Sequence, residues 1–154
     1  MFLYRLLSFF VNFFCAFLAV ITFFGILLAF GNPALLLQVF LTGCTVLYGW
    51  FANRFFTYVV IGRQHIRKKQ KDWLQVNAIG AIIFSILGIV NFIYLFSNPH
   101  SLDELLKQIP ASQPVPKTLL LNVSIGLFVL CSLLFIHIIW TYILVRKHKE
   151  YFDN

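Results

Sequence analysis

No aspartate or glutamate falls inside any long apolar run of this chain; all five acidic residues lie between or after those runs. A carboxylate at membrane depth is a common requirement of proton-coupled transport, so that activity is not expected. Cysteine is scarce too, with three in 154 residues. Cys15, Cys44 and Cys131 fall near the middle of three different apolar runs, with no CxxC or Cys-His spacing to suggest a metal or redox centre. None stands in a segment between the runs, so no structural disulfide is expected. A glycine-rich phosphate loop, an HExxH motif and a Ser-His-Asp set are missing as well. These absences argue against an enzyme, and no catalytic, cofactor-binding or metal-ligating residue can be named.

Charge is the next scarcity. Only 11% of the residues are charged while 60% are hydrophobic, and 19 are phenylalanine. A soluble domain of this size cannot cover so much apolar surface with so few charges, so its solvent must largely be lipid. Four runs exceed the length needed to cross ~30 Å of hydrocarbon at ~1.5 Å per residue. They span about 6–30, 34–61, 73–96 and 118–145. The first is too long for a signal-peptide core and lacks a clean small-x-small cleavage site, so it is expected to remain in the mature chain. "LTGC" at Leu41–Cys44 lies inside the second run, too far along to act as a lipoprotein box.

The net charge of +7 is unevenly placed. Arg5 precedes the first run, the 62–72 linker carries Arg63, Arg67, Lys68, Lys69 and Lys71, and the tail carries Arg146, Lys147 and Lys149. The other connections hold only Lys107 and Lys117. The positive-inside rule therefore puts both termini and the linker in the cytoplasm. Bases beside hydrophobic runs point to anionic headgroups of the inner leaflet as partners, not to nucleic acid. Arg63, Arg67, Lys68, Lys69 and Lys71 are the candidate contacts for such lipids or for a partner protein.

The expected fold is all-α: one up-and-down four-helix membrane bundle. The turn "GNP" at Gly31–Pro33 is short enough to force a hairpin between the first two spans. The 97–117 loop should contain a short amphipathic helix over about 102–109. Ser101 and Glu104 read as its capping box, Leu102, Leu105, Leu106 and Ile109 share its apolar face, and Pro110 ends it. Pro114 and Pro116 should then stiffen the way into the fourth span. Small and polar stripes mark the packing faces: Ser8, Asn12, Cys15, Ala19, Thr22 and Ala29; Gln38, Thr42, Thr45, Gly49 and Ala52; Ala78, Ala81, Ser85 and Gly88. The fourth span is less clean, with Asn122 and Gly126 toward one end and His137 and Thr141 toward the other.

Counted inward from the basic ends, Asn12, Arg54, Asn77 and His137 fall within about two helical turns of the inner interface. Arg54 can reach the headgroups from there or turn inward toward the other three. The chain thus reads as a non-enzymatic accessory or scaffold subunit of a bacterial-type inner membrane, touching a partner membrane protein or a second copy of itself. The alternative is a small-solute carrier or channel component with a cytoplasm-facing vestibule around Arg54 and His137.

Overall fold

The computed structural model describes residues 2–108 and 116–153. Five α-helices account for most of them: α1 (Phe2–Leu28), α2 (Pro33–Phe55), α3 (Lys68–Ser97), α4 (Pro99–Gln108) and α5 (Lys117–Lys147). The protein is all-α, as its composition implies. α1, α3, α5 and the continuous helical stretch Pro33–Ile61 are each long and apolar enough to cross a membrane.

Local chemistry sets where the helices begin. Gly31 supplies the left-handed turn residue after α1, at φ 89°. The Asn32 side chain then accepts from the Ala34 and Leu35 amides at 3.0 and 3.3 Å, with Pro33 first in the helix. α3 begins at Lys68, five residues before the apolar run at Trp73. Lysine and glutamine favour a helix as readily as leucine does, so hydropathy marks the apolar part of this helix and not its start.

α4 departs from expectation in the same direction. It opens at Pro99, so Ser101 lies inside the first turn instead of capping it. Its amide bonds to the Asn98 carbonyl at 3.0 Å. Proline is a favoured first helical residue and moves the start three positions back, from 102 to Pro99. Ile109, Pro110 and Pro114 lie outside the described residues. Leu102 is buried, Leu106 is half-buried and Leu105 exposed, where α4 rests against α3 and α5.

The four long helices pack in ring order, α1 against α2, α2 against α3, α3 against α5 and α5 back against α1. Their buried stripes include the expected Ser8, Cys15, Thr42, Thr45, Gly49, Ala52, Ala81 and Ser85. Gln38, Asn122 and Gly126 are exposed instead, and Tyr4, Phe14 and Tyr48 join the core. Phe2, Phe9, Phe13, Phe23 and Phe30 point outward, each more than 60% exposed, so the bulky apolar surface does face away from the bundle.

Three cysteines sit where neighbouring helices approach closely. A methyl group on Gly49 would stand 2.5 Å from the Cys15 sulfur, one on Gly80 2.5 Å from the Cys44 Cβ, and one on Gly88 2.8 Å from the Cys131 sulfur. Each thiol-bearing side chain seats on a glycine of the neighbouring helix. The three therefore belong to three different interfaces and do not converge.

At the basic end, α2 runs on as a π-helix over Phe56–Ile61 and closes through the Gly62 amide to the Thr57 carbonyl at 3.1 Å. Arg63 then takes a left-handed φ of 49°. The chain next forms a two-residue parallel bridge, β1 (Ile66–Arg67) with β2 (Phe152–Asp153). Phe55 stacks on Phe152 at 5.9 Å between ring centroids, and His148 packs edge-on to Phe55 at 6.5 Å. The linker and the tail are thereby tied together over the end of α2.

Candidate functional site

Two pairs of polar side chains at helical i, i+4 spacing face one another across the bundle: Tyr4 and Ser8 on α1, His137 and Thr141 on α5. Tyr48 of α2 completes the group. All five are buried. Tyr4 Oη lies 2.8 Å from Thr141 Oγ1, Ser8 Oγ 3.0 Å from His137 Nε2, and Tyr48 Oη both 2.8 Å from His137 Nδ1 and 2.9 Å from Thr141 Oγ1. The Tyr4 ring stacks on the imidazole at 5.0 Å between centroids and meets Phe56 at 4.6 Å.

The hydroxyl inventory assigns the protons. Thr141 donates its one hydrogen to the His137 carbonyl at 2.8 Å, so both tyrosines must donate to Thr141. Tyr48 has then used its hydrogen and can only accept from the imidazole, which places a proton on Nδ1. Ser8 donates to the free Nε2. A neutral imidazole in this one tautomer satisfies every member, with no hydrogen left over. Such a closed network fixes the register of three helices against one another, because a slip of any helix would strand a polar group.

Of the four candidates placed at matching depth, His137 alone joins this network. Asn77 is buried, but its side-chain amide donates to the Trp73 carbonyl one turn back on its own helix, at 2.8 Å. Asn12 is half-buried on α1. Arg54 is exposed, its guanidinium 5.5 Å from the centre of the Tyr58 ring one turn further on. Equal depth did not bring these side chains to one face. The network members that the sequence did not mark are Tyr48, which bonds the imidazole, and Tyr4, which stacks on it and bonds Thr141. Tyrosine in an apolar run reads first as an aromatic residue, which hides it.

The five bases of the linker region divide between a turn and a helix. Arg63 and Arg67 precede α3, whereas Lys68, Lys69 and Lys71 form its first turn. All are exposed except Lys71, which is half-buried with its ammonium 5.3 Å from the centre of the Phe152 ring.

Away from the polar network the helices part. A cleft of about 620 Å³ opens there, walled by Phe14, Leu41, Phe84 and Cys131, with Gln38 and Asn91 contributing amides. That volume is within the ~300–1,000 Å³ typical of small-molecule sites. Its wall is otherwise nearly all apolar, and no titratable pair suited to catalysis lines it. Among the described residues, no three His, Cys, Asp or Glu side chains cluster as a metal would require. No protein-family model, curated protein or solved structure matches the chain.

Proposed function

We propose that the chain is a four-pass integral membrane protein of a bacterial-type plasma membrane, acting as a non-catalytic accessory or scaffold subunit. Its helices run up and down, with both ends and the 62–67 linker at the cytoplasmic face. The tight turn at Gly31–Pro33, the ring order of the helices and the bases at the linker and tail support that orientation.

One observation carries the non-catalytic reading. The only polar network deep in the bundle is closed by the protein's own groups among the described residues, and both imidazole nitrogens of His137 are engaged within it. Such a group holds helices together and has no free lone pair or proton to offer a substrate. A vestibule joining Arg54 to His137 has less support, because Arg54 is exposed on the outside of α2 and neither residue lines the 620 Å³ cleft.

The test is reconstitution of the whole chain into sealed vesicles, paired with cross-linking in intact cells. The scaffold reading expects no flux of entrapped anions or neutral solutes, and a cross-linked species joining this chain to another membrane chain or to its own copy. Solute flux that Arg54→Ala abolishes would overturn it.

A further inference from the structure

At the basic end, between the start of α3 and the end of α5, lies a cleft of about 330 Å³. Lys71, Arg146 and Lys149 line it together with Gln75 and Tyr142. No carboxylate is among the lining residues, and none of the three bases pairs with an acid among the described residues. Lys71 is held in place by the Phe152 ring beneath its ammonium. Three cations lining one cleft with no carboxylate among the described lining residues suit an anion, and the chemistry fits a phosphate.

A second hollow, of about 560 Å³, continues from the first along the same pair of helices. Gln75 and Tyr142 line both, so the two are contiguous. Beyond them the walls become aliphatic: Ala78, Ile79 and Ile82 from α3 face Ile138, Ile139 and Ile143 from α5. From Lys71 to Ile82 the rise along α3 is ~17 Å, close to the ~15 Å of one hydrocarbon leaflet. The order of surfaces is cationic, then hydrogen-bonding, then apolar, over one leaflet's depth. A phospholipid presents the same order from phosphate through ester to acyl chain.

We propose that this composite cleft binds one anionic phospholipid of the inner leaflet. Lys71, Arg146 and Lys149 take its phosphate. The Gln75 amide and Tyr142 hydroxyl face the glycerol and ester region, and an acyl chain lies in the isoleucine-lined groove. The site rests on the membrane orientation proposed above and differs from a general attraction to the basic linker, since Arg63, Arg67 and Lys68 are not part of it.

The test uses the full chain, delipidated in mild detergent, with phosphatidylglycerol as the probe and native mass spectrometry as the readout. The wild type should bind phosphatidylglycerol at least tenfold more tightly than phosphatidylcholine, and millimolar glycerol 3-phosphate should not displace it. The Lys71→Gln, Arg146→Gln, Lys149→Gln triple variant should lose that tenfold preference. The charge-matched Arg63→Gln, Arg67→Gln, Lys68→Gln variant should keep it within twofold. Ile79→Trp with Ile139→Trp, both at exposed groove positions, should weaken binding about tenfold while leaving the helical circular dichroism unchanged. Single Arg146→Gln and Ile139→Trp variants serve if a multiple variant fails to fold. Equal losses in the two charge variants, full displacement by glycerol 3-phosphate, or undiminished binding in the groove variant would each overturn the site. Alkaline carbonate separates the two readings: a chain that stays with the membrane but shows no lipid preference refutes the site alone, and a chain that washes off refutes both.

Discussion

Tyr48 contributes a single hydroxyl, yet that oxygen holds both His137 Nδ1 and Thr141 Oγ1. Tyr48→Phe removes the acceptor for one buried N–H and one of the two donors to Thr141. Interhelical hydrogen bonds in membranes are worth ~0.6 kcal/mol on average and up to ~1.7. Losing both should cost about 1–2 kcal/mol, read as a lower unfolding midpoint in detergent. An unchanged midpoint would mean that the network does not hold the helices. The glycine seats offer a sharper contrast. Gly88→Ala drives a methyl into the Cys131 sulfur, an overpacking of the kind that costs ~1–3 kcal/mol. Cys131→Ala should restore most of that, because the nearest remaining atom, the Cys131 Cβ, stands at 3.5 Å. Gly80→Ala should not be rescued by Cys44→Ala, since the Cys44 Cβ itself stands at 2.5 Å. Double-mutant cycles on thermal unfolding measure both couplings. Cys15, Gly49 and Gly88 were legible in the sequence from their helical spacing, whereas Gly80, Cys44 and Cys131 fell outside the stripes. Which cysteine seats on which glycine was not, because spacing within one helix carries no information about its register against a neighbour.

At the scale of elements, an ion pair joins α4 to α5, Lys117 Nζ to Asp103 Oδ1 at 2.6 Å. The hydrogen bond from Lys117 holds the Asp103 carboxyl below its usual value, with the Lys117 charge adding to the effect. A carboxyl depressed in the folded state contributes stability above its unfolded value, ~3.9, and loses it as pH falls through the folded value. The pair is half-exposed on both sides, so its contribution is small and screened by salt. Spin labels at positions 107 and 119 should therefore report a constant distance from pH 8 to about 4 and a broader distribution once the pH falls below the folded value. Asp103→Asn should show the broad distribution at pH 7 and no further change on acidification. The existence of α4 was readable from its leucine spacing. Its first residue was not, because Pro99 and Ser101 both mark helix starts and only the path out of α3 decides between them.

For the whole molecule, the proposed arrangement across the bilayer is the reading on which the other proposals rest. In a cysteine-free background, Gln64→Cys should react with a membrane-impermeant maleimide only after cell lysis, and Pro116→Cys should react on intact cells. The opposite pattern would invert the orientation. Four apolar runs made the four long helices legible from residue types alone, and the lopsided bases are what the proposed orientation rests on, since both are properties of segments summed over many positions. The polar network and the lipid-shaped cleft were hidden, because each depends on which faces of non-adjacent helices meet.

The bundle is not held equally along its length. Five interlocked polar side chains, a stacked aromatic group and the short strand pair clamp the basic end, whereas the opposite half of the ring parts around an apolar hollow. Spontaneous opening should therefore start from the hollow half and fade toward the clamp, like a zipper sewn shut at its base. Amide protons near Leu18, Val39 and Leu127 should exchange with solvent deuterium well before those near Phe55 and Trp140.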